Sequence, residues 1–519
     1  MSTGTKVAKA AGILMVAMVF SRIIGYVRDV VIYSSFGQNN LTDAYNAAFS
    51  IPDFLYFLLV GGALSSAFIP VFSSYIATEK EEEGWKVASI IFNIVIILML
   101  IGSTIGIIFA PTLIRILVPG FTPENIILTV KMTRIMFIQA LFMALSGISM
   151  GILNSYHHFL SPAIGGIVYN LGIIVVGSIL SPYIGIMGFS VGVVIGAVLS
   201  FAVQIPVLLK IGLRYKPVID LQHPGVRKIG VLVLPVLIGL SVTQFNLFVN
   251  QNLGSNLPEG MISALRAAQR IMQLPIGIFA VSIAVATFPT LTGYAARKEK
   301  EEFKKTMSLG IRTIIFVTLP AAVGLIALRV PIVRLLFQQR QFTIEDTQAT
   351  AYALLFYCFG LIAYSSIQLL NRIFYSLQDT IMPVVIGVVT IVVNIILNLT
   401  LIKPLGHGGL ALAYSLAGFV NMVALLCILR RKIGSIDGRK MLASFVKTLG
   451  ISLIMGVVTY ETAQFMETIV DVGIKMGQVI QVGVSVPVGI LVFGALVMLF
   501  KMEEGELAKK MLLRRVSRK

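Results

Sequence analysis

Residues 88–112 read ASIIFNIVIILMLIGSTIGIIFAPT, a run without one charged side chain. A helix crossing the hydrocarbon core of a bilayer needs about 20 mostly apolar residues, and this stretch supplies them. Working outward from it, comparable stretches lie near 10–33, 44–75, 128–153, 161–182, 185–209, 229–252, 262–293, 308–333, 349–375, 381–402, 409–429, 441–463 and 478–500, fourteen in all. The second and eighth exceed the bilayer thickness and are expected to tilt, bend or project. The first is not expected to be a cleaved signal. Its apolar run Ala11–Phe20 continues through Ser21-Arg22 into a further apolar turn, with no small-residue cleavage site.

Composition agrees. Of 519 residues, 57% are hydrophobic and 12% charged, with a mean hydropathy of +0.92; a soluble domain carries about 25% charged residues. A soluble enzyme, a secreted disulfide scaffold and a disordered chain are thereby excluded. Cys358 and Cys427 both lie in apolar stretches, and the four histidines are scattered without metal-ligand spacing. Neither a metal nor a cofactor is expected. Lys+Arg 41 against Asp+Glu 23 gives a net charge of +18, which in a soluble protein would suggest nucleic acid. Here no nucleic-acid partner is expected, because the charge marks topology.

With fourteen spans both termini share a side, and basic loops fall on that side. They contain Lys6 and Lys9; Lys210, Arg214, Lys216, Arg227 and Lys228; Arg297, Lys298, Lys300, Lys304 and Lys305; Arg430, Arg431, Lys432, Arg439 and Lys440; and a tail with Lys509, Lys510, Arg514, Arg515, Arg518 and Lys519. The opposite loops hold Arg340, Lys403 and Lys475. Positive charge stays inside, so both termini are expected in the cytoplasm, with anionic membrane lipids as further partners of the basic face.

The sequence also repeats itself at offsets of 219 to 222. Pro70 and Tyr75 match Pro289 and Tyr294, and each pair precedes a charged linker, 79–83 or 297–302. Pro111 and Arg115 match Pro331 and Arg334; Phe121-Thr122-x-Glu124 matches Phe342-Thr343-x-Glu345; Pro162 matches Pro383; Gly185 and Gly188 match Gly406 and Gly409; Lys210-Ile211-Gly212 matches Lys432-Ile433-Gly434. Six spans per unit return the chain to its starting side, so the units run parallel, as in one class of secondary transporter. The expected fold is an all-α integral membrane protein of about 14 transmembrane helices: two parallel six-helix repeats, 1–225 and 226–438, then two extra C-terminal helices and a basic cytoplasmic tail in 439–519.

Charges inside spans are costly, about 3 kcal/mol for an arginine at the bilayer centre, so they carry the functional reading. Span one holds Arg22, Arg28 and Asp29; at 100° per residue Arg22 and Asp29 share a face two turns apart, with Arg28 roughly 120° around. Span eight holds Arg266 and Arg270, four apart on one face. Asp43 and Asp53 lie at the start of span two, near Pro52. Arg115, Arg329 and Arg334 sit near span ends and are expected to snorkel, as are Lys131 and Arg134, while Arg372 closes span ten as an anchor. The alternative reading of Arg28-Asp29 is a local ion pair, and that of Asp43 a helix cap. Guanidinium groups facing inward would bind an anion, with phosphate oxygens matching their paired donors. The candidate substrate-binding set is Arg22, Arg28, Asp29, Asp43, Arg266 and Arg270. No G-x-x-x-x-G-K-[ST] is present. Gly25, Pro52, Gly61, Gly62 and Pro275 are candidate bending points.

The runs Ser21-Arg22-Ile-Ile-Gly25-Tyr-Val-Arg28-Asp29, Phe36-Gly37, Thr42-Asp43-Ala44-Tyr45, Gly62-Ala63-Leu64-Ser65-x-Ala67-Phe68-Ile-Pro70 and Gln269-Arg270-Ile-Met-Gln273-Leu-Pro275-Ile-Gly277-Ile-Phe279 resemble the MurJ (MviN) lipid II flippases over nearly the whole chain. The resemblance implies a member of the multidrug/oligosaccharidyl-lipid/polysaccharide transporter superfamily, not an enzyme. Such a protein moves the undecaprenyl-pyrophosphate-linked peptidoglycan precursor outward across the bacterial cytoplasmic (inner) membrane by alternating access. It further implies that Arg22, Arg28 and Arg270 hold the pyrophosphate, that Asp29 and Asp43 are matching acidic positions, that the two extra helices form a groove for the lipid tail, and that cell-wall synthesis proteins are candidate partners. The chain departs from the family at Tyr56, where a basic residue is common, and at Gly61, where an acid is common.

Three other readings remain open at the level of sequence. They are a flippase for another lipid-linked oligosaccharide, a drug/cation antiporter of the same superfamily, and a membrane enzyme acting on lipid-linked sugars. The antiporter needs a buried carboxylate that trades a proton or sodium for a cationic drug, but arginines outnumber Asp29 and Asp43. The enzyme has only His157-His158 as a paired candidate.

Overall fold

A computed structural model describes residues 3–58 and 63–506, with side chains described except at 3–19, 63–66, 234–236 and 238–243. Gly61, Gly62 and the basic tail from Lys509 to Lys519 lie outside the described residues, as do the side chains of Lys6 and Lys9. The described chain is helical, with no strand among the described residues. The helices are α1 (Thr3–Phe36), α2 (Asn40–Ala48), α3 (Ser50–Tyr56), α4 (Ala63–Ala77), α5 (Glu81–Leu117), α6 (Pro123–Ser155), α7 (Leu160–Ile184), α8 (Met187–Ala202), α9 (Ile205–Lys210), α10 (Pro224–Gly254), α11 (Met261–Pro275), α12 (Val281–Ala296), α13 (Lys300–Ala327), α14 (Arg329–Phe337), α15 (Ile344–Ser376), α16 (Ile381–Leu405), α17 (His407–Ile433), α18 (Gly438–Ile469) and α19 (Lys475–Leu499).

Eleven helical spans among the described residues are long and apolar enough to cross a membrane. The first and seventh sequence stretches fall on the long helices α1 and α10, and the second is divided among α2, α3 and α4. The outward faces confirm the solvent. On α16, Val384, Val385, Val388, Val389, Val392, Ile396 and Leu399 are all exposed, an apolar surface far beyond what a water-soluble monomer carries.

The two over-long stretches are interrupted near prolines, which lack a backbone donor. Helix α2 stops at Phe49 and α3 begins at Ser50, which leaves Pro52 in a first turn where its missing N–H is least costly. Helix α11 ends at Pro275 and widens into a π-helical turn, Ile276–Ala280, before α12.

Packing divides the chain into two compact units, Met1–Ser263 and Ala264–Lys519. In the first, α5 packs on α6, α7 on α8, and α6 on α8. Lipid tails are as apolar as leucine, so helices associate by close fit rather than by escape from water. At Gly106 an added Cβ would lie 2.2 Å from the Phe137 ring, and at Gly172 it would lie 2.7 Å from the Gly196 Cα. Phe68, Phe72, Trp85, Ile90 and Ile148 form the buried centre of this unit.

In the second unit α15 packs on α13 and α17, α16 on α17, and α18 on α13 and α19. The last two helices are fastened at both ends. At one end Arg334 Nη1 meets Glu467 Oε1 at 2.6 Å and Lys475 Nζ donates to the Leu335 carbonyl at 2.7 Å. At the other, Arg312 Nη1 lies 2.8 Å from Glu503 and 3.2 Å from the buried Glu504, and the Ser444 hydroxyl donates to Glu504 at 3.0 Å. Arg334, expected only to snorkel, therefore ties the C-terminal pair to α14. Arg372 lies over the Phe288 ring, 5.6 Å from its centroid.

The repeat is written into the backbone. Glu79 and Lys298 have φ of 58° and 59°, His157 and Gln378 59° and 58°, Gly185 and Gly406 60° and 55°, and Gly212 and Gly434 85° and 84°. Each pair is separated by 219 to 222 residues. The same hydrogen bonds accompany the first two pairs: Lys80 N to Tyr75 O at 2.9 Å and Glu299 N to Tyr294 O at 3.0 Å, then His158 N to Leu153 O at 2.8 Å and Asp379 N to Phe374 O at 3.0 Å. These are left-handed helix C-caps. Thr122 and Thr343, matched in the sequence, both cap the helices that follow them.

Candidate substrate site

Arg28, in the last third of α1, is the best-defined charge inside a span. Its Nε and Nη2 donate to a single oxygen, Asp29 Oδ1, at 3.0 and 2.7 Å, and Nη1 donates to Asn170 Oδ1 on α7 at 3.1 Å. The two charged side chains are 12% and 13% exposed. Neighbours in sequence do not share a helix face; the long arginine bends back to reach its neighbour, so the local ion pair is present. Asn170 Nδ2 donates to the Gly166 carbonyl at 2.9 Å, which fixes the amide with its oxygen toward the guanidinium. A second chain of bonds runs beside this one: Tyr169 Oη donates to Gln139 Oε1 at 3.1 Å, and Gln139 Nε2 donates to Asp53 Oδ1 at 3.3 Å.

Asp43 is buried, 3% exposed, and its carboxylate caps the first turn of α11. Oδ2 accepts from Gly260 N at 2.7 Å, and Oδ1 accepts from Ser263 N at 2.8 Å and Ser263 Oγ at 2.6 Å. One turn along α2, Asn46 Nδ2 donates to Ser263 Oγ at 3.0 Å and to Tyr33 Oη at 3.2 Å. The cap expected of Asp43 is thus supplied to another helix, while Asn39 caps α2 itself.

Arg22 is exposed on α1. On α11, Ile262, Ala264, Ala267, Ala268, Ile271 and Met272 are buried, whereas Arg270 and Gln273 are exposed and Arg266 and Gln269 half-buried. Residues 266, 269, 270 and 273 follow the i, i+3, i+4, i+7 spacing of one helix face, so the two span-eight arginines belong to a polar stripe with two glutamines. In the same unit Tyr364 stacks on Tyr414 with centroids 4.3 Å apart, and Tyr357 meets Tyr414 edge-on at 5.5 Å.

The structure joins Arg28 to Asp29 and gives Asp43 a separate set of partners. Sequence reasoning missed Asn170, Gln139 and Tyr169. Their one signal was a polar side chain within an apolar span.

An all-helical membrane chain that repeats a helical unit and carries arginines within its spans has the build of a membrane transporter. A solved inward-facing multidrug resistance transporter of the MATE family in the MOP superfamily shares the fold, with a TM-score of 0.69 at 16% identity over 82% of this chain and 99% of that one. The particular family follows from closer matches: the chain belongs to the MurJ lipid II flippases, a transporter family and not enzymes. The family model described as lipid II flippase MurJ matches residues 32–479. A probable lipid II flippase MurJ of Buchnera aphidicola subsp. Acyrthosiphon pisum is 33% identical over 78% of this chain and 80% of its own length. That of Vibrio cholerae is 32% identical over 80% and 81%. A solved lipid II flippase MurJ, in an inward closed conformation, superposes with a TM-score of 0.80 at 30% identity, over 94% of this chain and 98% of that one.

Proposed function

We propose that this chain moves lipid II, the undecaprenyl-pyrophosphate-linked peptidoglycan precursor, from the inner to the outer leaflet of a bacterial cytoplasmic membrane. It does so by alternating access, with both termini in the cytoplasm. Arg22, Arg28, Arg266 and Arg270 are the arginines that bind the pyrophosphate, and the α18–α19 pair guides the lipid tail. The observation that carries this reading is Arg28. Its guanidinium lies within a membrane span, is braced by Asp29 and Asn170, and commits three N–H groups to them. An arginine has five, so among the described residues two remain for phosphate oxygens.

The test is translocation of labelled lipid II in proteoliposomes, read as headgroup accessibility to a membrane-impermeant reagent. The wild type should translocate, and Arg28→Ala and Arg270→Ala should fall to the protein-free rate. Translocation by both variants at the wild-type rate would remove the arginines from the mechanism. Transport of another lipid-linked oligosaccharide but not of lipid II would reassign the cargo.

A further inference from the structure

We infer that Tyr45 and Asn170 complete a phosphate-binding subsite with Arg28 inside the first unit. The inference rests on the lipid-phosphate reading above and deepens it, by naming the groups that grip one phosphoryl group of the cargo.

Among the described residues Arg28 leaves two N–H donors unused, within a side chain only 12% exposed. The Tyr45 hydroxyl is a second observation, independent of the first. The residue is 4% exposed, and its oxygen has no hydrogen-bond partner among the described residues. Buried hydroxyls nearly always find a partner, so an orphan marks a position that a ligand atom can fill. Tyr45 packs in one buried cluster with Ile32, one turn beyond Arg28 on α1, and Tyr169, the neighbour of Asn170, packs against that cluster.

The neighbouring polar groups are already committed. The Tyr169 hydroxyl gives its proton to Gln139, and the Asn170 amide cannot turn without losing its bonds to both Gly166 and Arg28. Among the described residues, two N–H groups of the guanidinium and one phenolic O–H are left as donors. A guanidinium edge beside a hydroxyl suits the oxygens of a phosphate ester. Asn170 acts through Arg28, as a positioning residue, by pulling Nη1 toward α7. Tyr45 touches the phosphate itself.

The test measures binding of two probes, a polyprenyl pyrophosphate and the matching polyprenol, to the full chain in nanodiscs. Tyr45→Phe removes one oxygen atom, and Asn170→Asp places a second carboxylate on Arg28 at nearly constant volume. A hydrogen bond to a charged group corresponds to roughly ten- to a hundredfold in affinity. Each variant should therefore weaken the pyrophosphate by about that factor while leaving the polyprenol within about twofold. Misfolding would lower both probes together, and so would overturn the assignment for that variant. Unchanged pyrophosphate affinity in both variants overturns the Tyr45–Asn170 subsite but leaves the lipid-phosphate reading standing. A wild type with no preference for pyrophosphate over polyprenol overturns that reading, and the subsite falls with it.

Discussion

Replacing Asp43 separates a structural role from a substrate role. Its carboxylate accepts three hydrogen bonds, two from backbone N–H groups of residues 260 and 263 and one from the Ser263 hydroxyl, and both Asp43 and Ser263 are buried. In Asp43→Asn the amide oxygen can keep the Ser263 bonds, but its NH2 then faces the Gly260 N–H. One bond to a charged acceptor, about 1.5–3 kcal/mol, is lost, and a buried donor is left unpaired at about 1–3 kcal/mol more. The expected loss is about 3–5 kcal/mol, and Asp43→Ala, which abandons both backbone donors, should lose at least as much. For a unit of 150–250 residues, 1 kcal/mol shifts the melting temperature by about 2–4 °C, so even the lower figure predicts a fall of at least about 6 °C. The single tryptophan, Trp85, lies in the same unit, and its emission during thermal unfolding of the detergent-solubilised chain reports the change. A double-mutant cycle with Ser263→Ala isolates the Oγ contact and should return a coupling of about 1 kcal/mol or more. If Asp43→Ala melts within a degree of wild type and yet abolishes transport, the cap is not what the carboxylate provides, and its role lies with the substrate.

Other outcomes follow from the same packing. Gly106→Ala places a methyl 2.2 Å from the Phe137 ring; it should cost about 1–3 kcal/mol in thermal unfolding, with part of the loss recovered by adding Phe137→Leu. Arg312→Ala leaves the buried Glu504 with only Ser444 among the bonds described. A buried charge stripped of its partner costs about 3–5 kcal/mol, and Glu504→Gln in the same chain should restore much of it in denaturation midpoints. The Lys432 ammonium, hydrogen-bonded to Asp379, holds that carboxyl below the usual carboxylate range. A depressed value means that the stabilisation is present above the unfolded value, near pH 4, and is lost as pH falls through the folded one. Wild type and Asp379→Asn should therefore differ in melting temperature at neutral pH and converge in acid.

Much of the fold was legible because membrane helices announce themselves twice, by length and by apolar content. Among the described residues the fourteen stretches fall on helices for this reason, and the division of span two at Phe49 was foreshadowed by Pro52. The repeat was legible only as weak matches between prolines, glycines and linkers, because lipid-facing positions accept any apolar residue and so lose their identity between copies. Turn geometry is held more tightly. Glu79 and Lys298, or His157 and Gln378, share no side-chain chemistry, yet each pair occupies the same left-handed cap. A single non-glycine residue pays about 1 kcal/mol to sit there, so its recurrence at one offset is stronger evidence for a common unit than any one residue match.

The site was legible in its charges and not in their supports. Arg28 and Asp29 stand out because a charge in an apolar run is rare, whereas Asn170 lies 142 residues away and is joined to them only when α7 packs on α1. Asp43 shows the converse. Its position at the start of a helix suggested a cap, but periodicity cannot say which helix it serves, and the donors it meets lie 217 and 220 residues further on. An inward-facing acid in a transporter invites a substrate role by type alone. Three short hydrogen bonds to one buried carboxylate argue that its first duty is to hold α11 at its N-terminus, at the head of the helix that carries Arg266 and Arg270. Loss of transport on changing Asp43, accompanied by a lowered melting temperature, would then follow from the lost cap.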